Sequence, residues 1–193
     1  MKKLTGLMVL GLLFLLGTSP VHAIPYVFVA TLDGPSENPP TPSAGTGFAR
    51  VILDDSAHTL SIDVTFSGLT GTTTAAHIHC CVAAPGNAGI ATPGVLPGFP
   101  LGVTSGTYFN VFDTQLDSTF SSGFLTANGG TAAGAEAALL AGLQAGMAYF
   151  NIHTSFRTGG EIRGFLAVPE PGTLGLLLLG LGALGVRGAR RSH

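Results

Sequence analysis

The chain has 193 residues, room for one domain of ordinary size, and only 9% of them are charged while 46% are apolar. The net charge of −2 hides an asymmetry, because residues 24–166 carry three basic and nine acidic side chains, a net −6. Phosphate recognition needs clustered lysine and arginine, so nucleic acid is excluded as a partner of this span.

Lys2 and Lys3 form a basic start, Leu4 to Leu16 an apolar run, and Val21-His22-Ala23 a small-residue site. This order reads as a secretory signal peptide over residues 1–23, cut after Ala23, with a short signal helix. The other basic residues outside the middle span, Arg187, Arg190 and Arg191, lie at the far end, where they act as topology signals.

Between the ends, glycine (29) and proline (12) favour short strands with many turns. Thr59–Phe66 alternates with period two: Leu60, Ile62, Val64 and Phe66 face one way, and the polar residues between them the other. Tyr26–Leu32, Thr46–Leu53, Ala75–His79, Tyr108–Phe112, Ala148–Thr154 and Glu161–Leu166 read as further strands. Gly86 to Gly106 reads as a surface loop, since Pro93, Pro97 and Pro100 oppose a central strand. One helix is expected from Ala132 to Gly146. The fold class expected for residues 24–166 is mainly β, an antiparallel sandwich or Greek-key barrel with one short helix.

His77 and His79, two apart on one strand, leave the same face, and on a later strand Asn151 and His153 lie opposite Phe150 and Ile152. If the two strands are neighbours, three imidazoles converge as copper or zinc requires, with water or Glu161 completing the shell. The competing and favoured reading is structural: hydrogen bonds from these histidines to strand ends and to Glu161 or Thr154. Glu161 and Arg163 share a face, either as an exposed ion pair or as part of a buried polar cluster with Glu37 and Asn151. Cys80 and Cys81 are the only cysteines. Adjacent Cα atoms lie about 3.8 Å apart across a trans peptide, and strand neighbours point apart, so free thiols are favoured over a bridge. A bond to another chain and soft-metal ligation are the alternatives. No catalytic motif is visible, and no enzyme is expected.

The chain closes on Val168-Pro169-Glu170-Pro171-Gly172, an apolar stretch from Thr173 to Val186, and the arginines 187, 190 and 191. The apolar stretch is short for a bilayer, which takes about 20 residues. This order resembles the PEP-CTERM sorting signal of Gram-negative bacteria, over residues 167–193. The resemblance implies a C-terminal membrane helix, processing by an exosortase-like protease, and residence at the cell envelope or surface near an exopolysaccharide matrix.

Four further segments, Leu32-Asp33-Gly34-Pro35-Ser36-Glu37-Asn38-Pro39-Pro40, Ala76-His77-Ile78-His79, Tyr149-Phe150-Asn151-Ile152-His153-Thr154 and Gly160-Glu161-Ile162-Arg163-Gly164, together resemble the CHRD domain. The Cys80-Cys81 pair departs from that family's small residues after His-Ile-His. The resemblance implies an extracellular β domain of undefined chemistry. The expected function is therefore an exported surface or matrix module with a non-enzymatic binding or structural role, whose partners are extracellular polysaccharide or surface proteins. The rival is an exported copper or zinc protein, or enzyme, built on His77, His79 and His153.

Overall fold

A computed structural model describes residues 24–169. The signal segment with its site at Ala23, and the sorting tail from Glu170 through Pro171 to Arg187, Arg190 and Arg191, lie outside the described residues; Pro169 is the last inside. Among the described residues no helix is long and apolar enough to cross a membrane.

Period-two patterning becomes seven strands: β1 (Tyr26–Asp33), β2 (Thr46–Asp54), β3 (Thr59–Ser67), β4 (Thr73–Cys80), β5 (Gly106–Asp113), β6 (Ala148–Thr154) and β7 (Ile162–Phe165). All pair antiparallel in one sheet of order β4-β6-β7-β1-β2-β3-β5. Register keeps apolar residues together: Phe28 faces Val51, and Val51 faces Ile62, all fully buried. The sheet curls round this core in the manner of a sandwich, as expected. Each strand expected from the sequence is present, with ends shifted by at most two residues.

Two helices pack on the core. The expected one is α2 (Ala132–Gln144), whose N-cap Thr131 accepts from the Gly134 N–H. It buries Leu139 and Leu143. A second, α1 (Ser122–Ala127), was not expected, because six residues containing a glycine are too short for a periodic signal. Tertiary contacts fix it: the Ser121 hydroxyl caps Phe124 and donates to the Ile90 carbonyl, and Phe124 is buried.

The stretch 86–106 is a loop, but it does not lie wholly on the surface. Ala91, Thr92, Leu96 and Phe99 are buried. They reach the core because the loop runs along the free edge of β4. The Ala91 N–H donates to the Ile78 carbonyl, the Leu96 N–H to Ala76 and the Cys80 N–H to Gly89.

The cysteine expectation is corrected: Cys80 and Cys81 form a disulfide, and neither is free. The expectation assumed a trans peptide within a strand. The Cys80–Cys81 bond is cis, with Cα atoms 3.1 Å apart; β4 ends at Cys80, and both sulfurs lie against α2. They meet it at Gly142, where any Cβ would overlap both sulfurs.

His58, in the β2–β3 turn, binds Glu136 of α2, with Nδ1 2.9 Å from Oε2. The hydrogen bond to Glu136 raises the His58 pKa above its ordinary value. The stabilisation is thus present below 6.5 and fades as pH rises through the folded value. An NMR titration should find the imidazole above 6.5, and Glu136→Gln should return it to the ordinary value. An unchanged titration in the variant would refute the pairing.

Candidate functional site

β4, β6 and β7 are neighbours, and their registers build a polar face opposite the apolar one. One cross-strand row is His79–Tyr149–Phe165, the next is His77–Asn151–Arg163, and His153 lies one row further, opposite Ala75. Such an arrangement follows from period two: Ile78, Phe150, Ile152 and Ile162 point into the core and are fully buried, so their alternates share the other face. That face is not open to water. Segments 34–45, 82–94 and 155–160 fold over it, which is why β6 is buried on both sides save for a half-buried His153.

The three histidines expected to converge do so. Their ligand atoms all lie within 4.8 Å of one another, and Nε2 of His77 is 2.9 Å from Nε2 of His153. Each ring is oriented from behind. Nδ1 lies 2.7 Å from the Gly94 carbonyl in His77, 2.8 Å from Ala88 in His79, and 2.8 Å from Thr158 in His153. A carbonyl only accepts, so each Nδ1 carries the proton and each Nε2 a lone pair. Burial pushes His77 and His79 down to about 4 and also lowers His153, so all three are neutral near pH 7. Two neutral acceptors therefore face each other at 2.9 Å, and the buried Nε2 of His79 has no partner at all. Three lone pairs aimed at one point repel unless an electrophile sits between them. A metal ion bound at 2.0–2.1 Å per nitrogen would set them about 3.3 Å apart. Backbone carbonyls holding the distal nitrogens are the usual outer support of such a site.

Glu161 does not complete the shell. Its carboxylate accepts from the Ser43 and Thr154 hydroxyls and from the N–H groups of Thr70 and Gly71, and its carbonyl accepts from Thr41. Burial alone would raise its pKa, but these four donors outweigh that and lower it. Nor do the histidines bind Glu161 or Thr154; their outer partners are loop carbonyls.

Arg163 is fully buried and acts as a hub. Its Nε donates to the Ser36 carbonyl at 2.6 Å, and its terminal nitrogens to the Pro85 carbonyl at 2.8 Å and Asn87 Oδ1 at 2.7 Å. The guanidinium also stacks 4.6 Å over the Tyr149 ring, which in turn stacks on His79. Glu37 lies beside it, Oε2 3.8 Å from Nε. Burial raises Glu37 to about 7 against the pull of Arg163 and Arg157. The expected buried cluster is thus two arrangements. Glu37 pairs with Arg163, whose register partner is Asn151, while Glu161 anchors a separate set of hydroxyls and amides. Tyr149, Ser43, Thr41 and the loop carbonyls were not singled out from sequence. Backbone oxygens have no sequence signal, and Ser43 lies 118 positions from Glu161.

Residues 28–166 match the CHRD domain model, and residues 167–192 match a PEP-CTERM protein-sorting motif. No curated protein and no solved structure matches. The sorting motif marks the chain for export, transient membrane anchoring and processing by exosortase, which places it at the cell envelope or surface. With 28–166 covering more than half of its length, the chain belongs to the CHRD domain family and carries a PEP-CTERM tail.

Proposed function

We propose that this exported domain is a transition-metal-binding module of the cell surface, holding one copper or zinc ion on His77, His79 and His153. The observation that carries the reading is the convergence of three unprotonated Nε2 atoms whose Nδ1 atoms are all bound to carbonyls. Three protein ligands leave a fourth position for water or another ligand. The proposed role is binding rather than catalysis. The acid nearest by sequence logic, Glu161, is saturated by four donors and has no lone pair to spare for a metal-bound water. Export and the acidic charge of residues 24–166 support display among matrix polysaccharide or surface proteins.

Elemental analysis of protein purified from the exporting cell tests this directly. One copper or zinc per chain, regained stoichiometrically after chelation, is expected. Weak uptake without a stoichiometric endpoint would leave the histidines as a polar brace between strands and end the metal reading.

A further inference from the structure

The sheet has two edges, β4 and β5. The β4 edge is covered by the 89–96 segment, which satisfies the backbone of Ala76, Ile78 and Cys80, with the Thr92 hydroxyl accepting from the Ile78 N–H. Among the described residues nothing comparable covers β5. Thr107, Phe109 and Val111 are all exposed, Phe109 to 69% and Val111 to 47%. The Val111 N–H is bonded to the side chain of its own neighbour, Asn110 Oδ1, rather than to β3. Residues of that parity therefore turn their backbone groups away from β3, toward the free side. Natural edges are normally blunted by proline, by charge or by a covering segment. From Gly106 to Phe112 β5 has neither proline nor charge.

We propose that β5 pairs antiparallel with β5 of a second copy of this chain, about a two-fold axis at Phe109. The strand's own pattern favours a second copy over another protein. Phe109 lies near the middle of Gly106–Asp113, so this centre overlaps Gly106–Phe112, all but the last residue of the strand. It sets Thr107 against Val111 and Ser105 against Asp113, so no like charges oppose each other. The two Phe109 rings meet on the outer face as an aromatic cross-strand pair. Phe109, Thr107 and Val111 have the outward parity, so both chains bring donors and acceptors to the same places. The interface is isologous and closes at two chains. It lies at the edge away from β4 and its histidines, so it stands or falls independently of the metal.

The register makes the test specific. Paired residues that exchange both backbone bonds have Cα atoms about 5.5 Å apart, within the span of a disulfide. The native cysteines are already bonded to each other. In full-length chain in mild detergent under air, Phe109→Cys should yield a covalent dimer on a non-reducing gel. Val111→Cys should remain single, and Val111→Cys combined with Thr107→Cys should cross-link again. Sedimentation should give twice the chain mass for wild type and half of that for Phe109→Lys. Circular dichroism of Phe109→Lys, unchanged from wild type, verifies that it folds. A single-chain mass for wild type, an undiminished mass in Phe109→Lys, equal cross-linking through Val111→Cys, or capture of a different protein would each overturn the proposal.

Discussion

Replacing His77 with alanine should lower copper or zinc affinity by at least about a hundredfold, more than the loss of an outer-shell partner alone. The substitution leaves two nitrogens where three converge, and it removes the most buried of the three rings. Competition titration against a chelator reads the change. His153→Ala should behave alike, since its Nε2 is the one that meets His77. Equal affinity in wild type and both variants would dismiss the site.

The same burial predicts how the site responds to acid. With His77 and His79 held at about 4, protons compete weakly for the nitrogens until the pH approaches that value. Three exposed imidazoles would lose about a thousandfold per pH unit below 6.5, one factor of ten for each proton. Here the loss from pH 7 to 5.5 should stay under about tenfold. The metal-free fold is affected by the same two residues. Their folded pKa values are depressed, so the unfolded chain binds more protons between 6.5 and 4, and stability falls as pH falls through that window. Glu37, raised to about 7, works in the opposite sense and gains as pH falls from 7 to 4.5. His153 and Glu161, both also depressed, add to the losses, so the balance is a net loss of stability from pH 7 to 4.5. Urea midpoints of the chelated protein at pH 7 and 4.5 measure it. A midpoint that rises toward pH 4.5 would contradict the neutral, buried histidines.

Arg163→Met should destabilise the fold by about 4 kcal/mol, the scale for removing one partner of a buried charge network. The loss has several parts. The carbonyls of Ser36 and Pro85 and the Asn87 side chain lose their donor in a place that water does not reach. Glu37 loses its counter-charge and would stay protonated to higher pH, which softens the penalty. Methionine fills much of the volume, so cavity formation is minor. A Tm lower by roughly 10–20 °C is expected for a domain of this size. Arg163→Lys keeps the charge but not the planar fork, and should recover less than half of the loss. Since Arg163 pins residues 85–87, which lead to the Ala88 carbonyl behind His79, both variants should also weaken metal binding. A Tm within 2 °C of wild type in Arg163→Met, a shift below about 1 kcal/mol, would show that the hub is dispensable.

Period-two patterning determined a great deal by itself. Leu60, Ile62, Val64 and Phe66 could belong only to a half-buried strand, and the same parity put His77 and His79 on one face and His153 with Asn151 on another strand's polar face. The C-terminal sorting signal was legible because it depends on local composition, not on folding. Tertiary structure decided whether those two faces met. β4 and β6 are separated by 67 residues of chain, and only the sheet order makes them neighbours and turns three scattered histidines into one cluster. It also decided the covering. The carbonyls of Ala88, Gly94 and Thr158 orient the rings, yet a backbone oxygen looks the same at every position in a sequence. Cys80 and Cys81 bridge at the end of β4 with both sulfurs against Gly142 of α2, an arrangement not readable from two adjacent letters. Glu161, just before β7, and Arg163 within it are two residues apart, but the Ser43 hydroxyl on the first and the Ser36 and Pro85 carbonyls on the second come from segments more than 70 residues away, and those partners assign each its place.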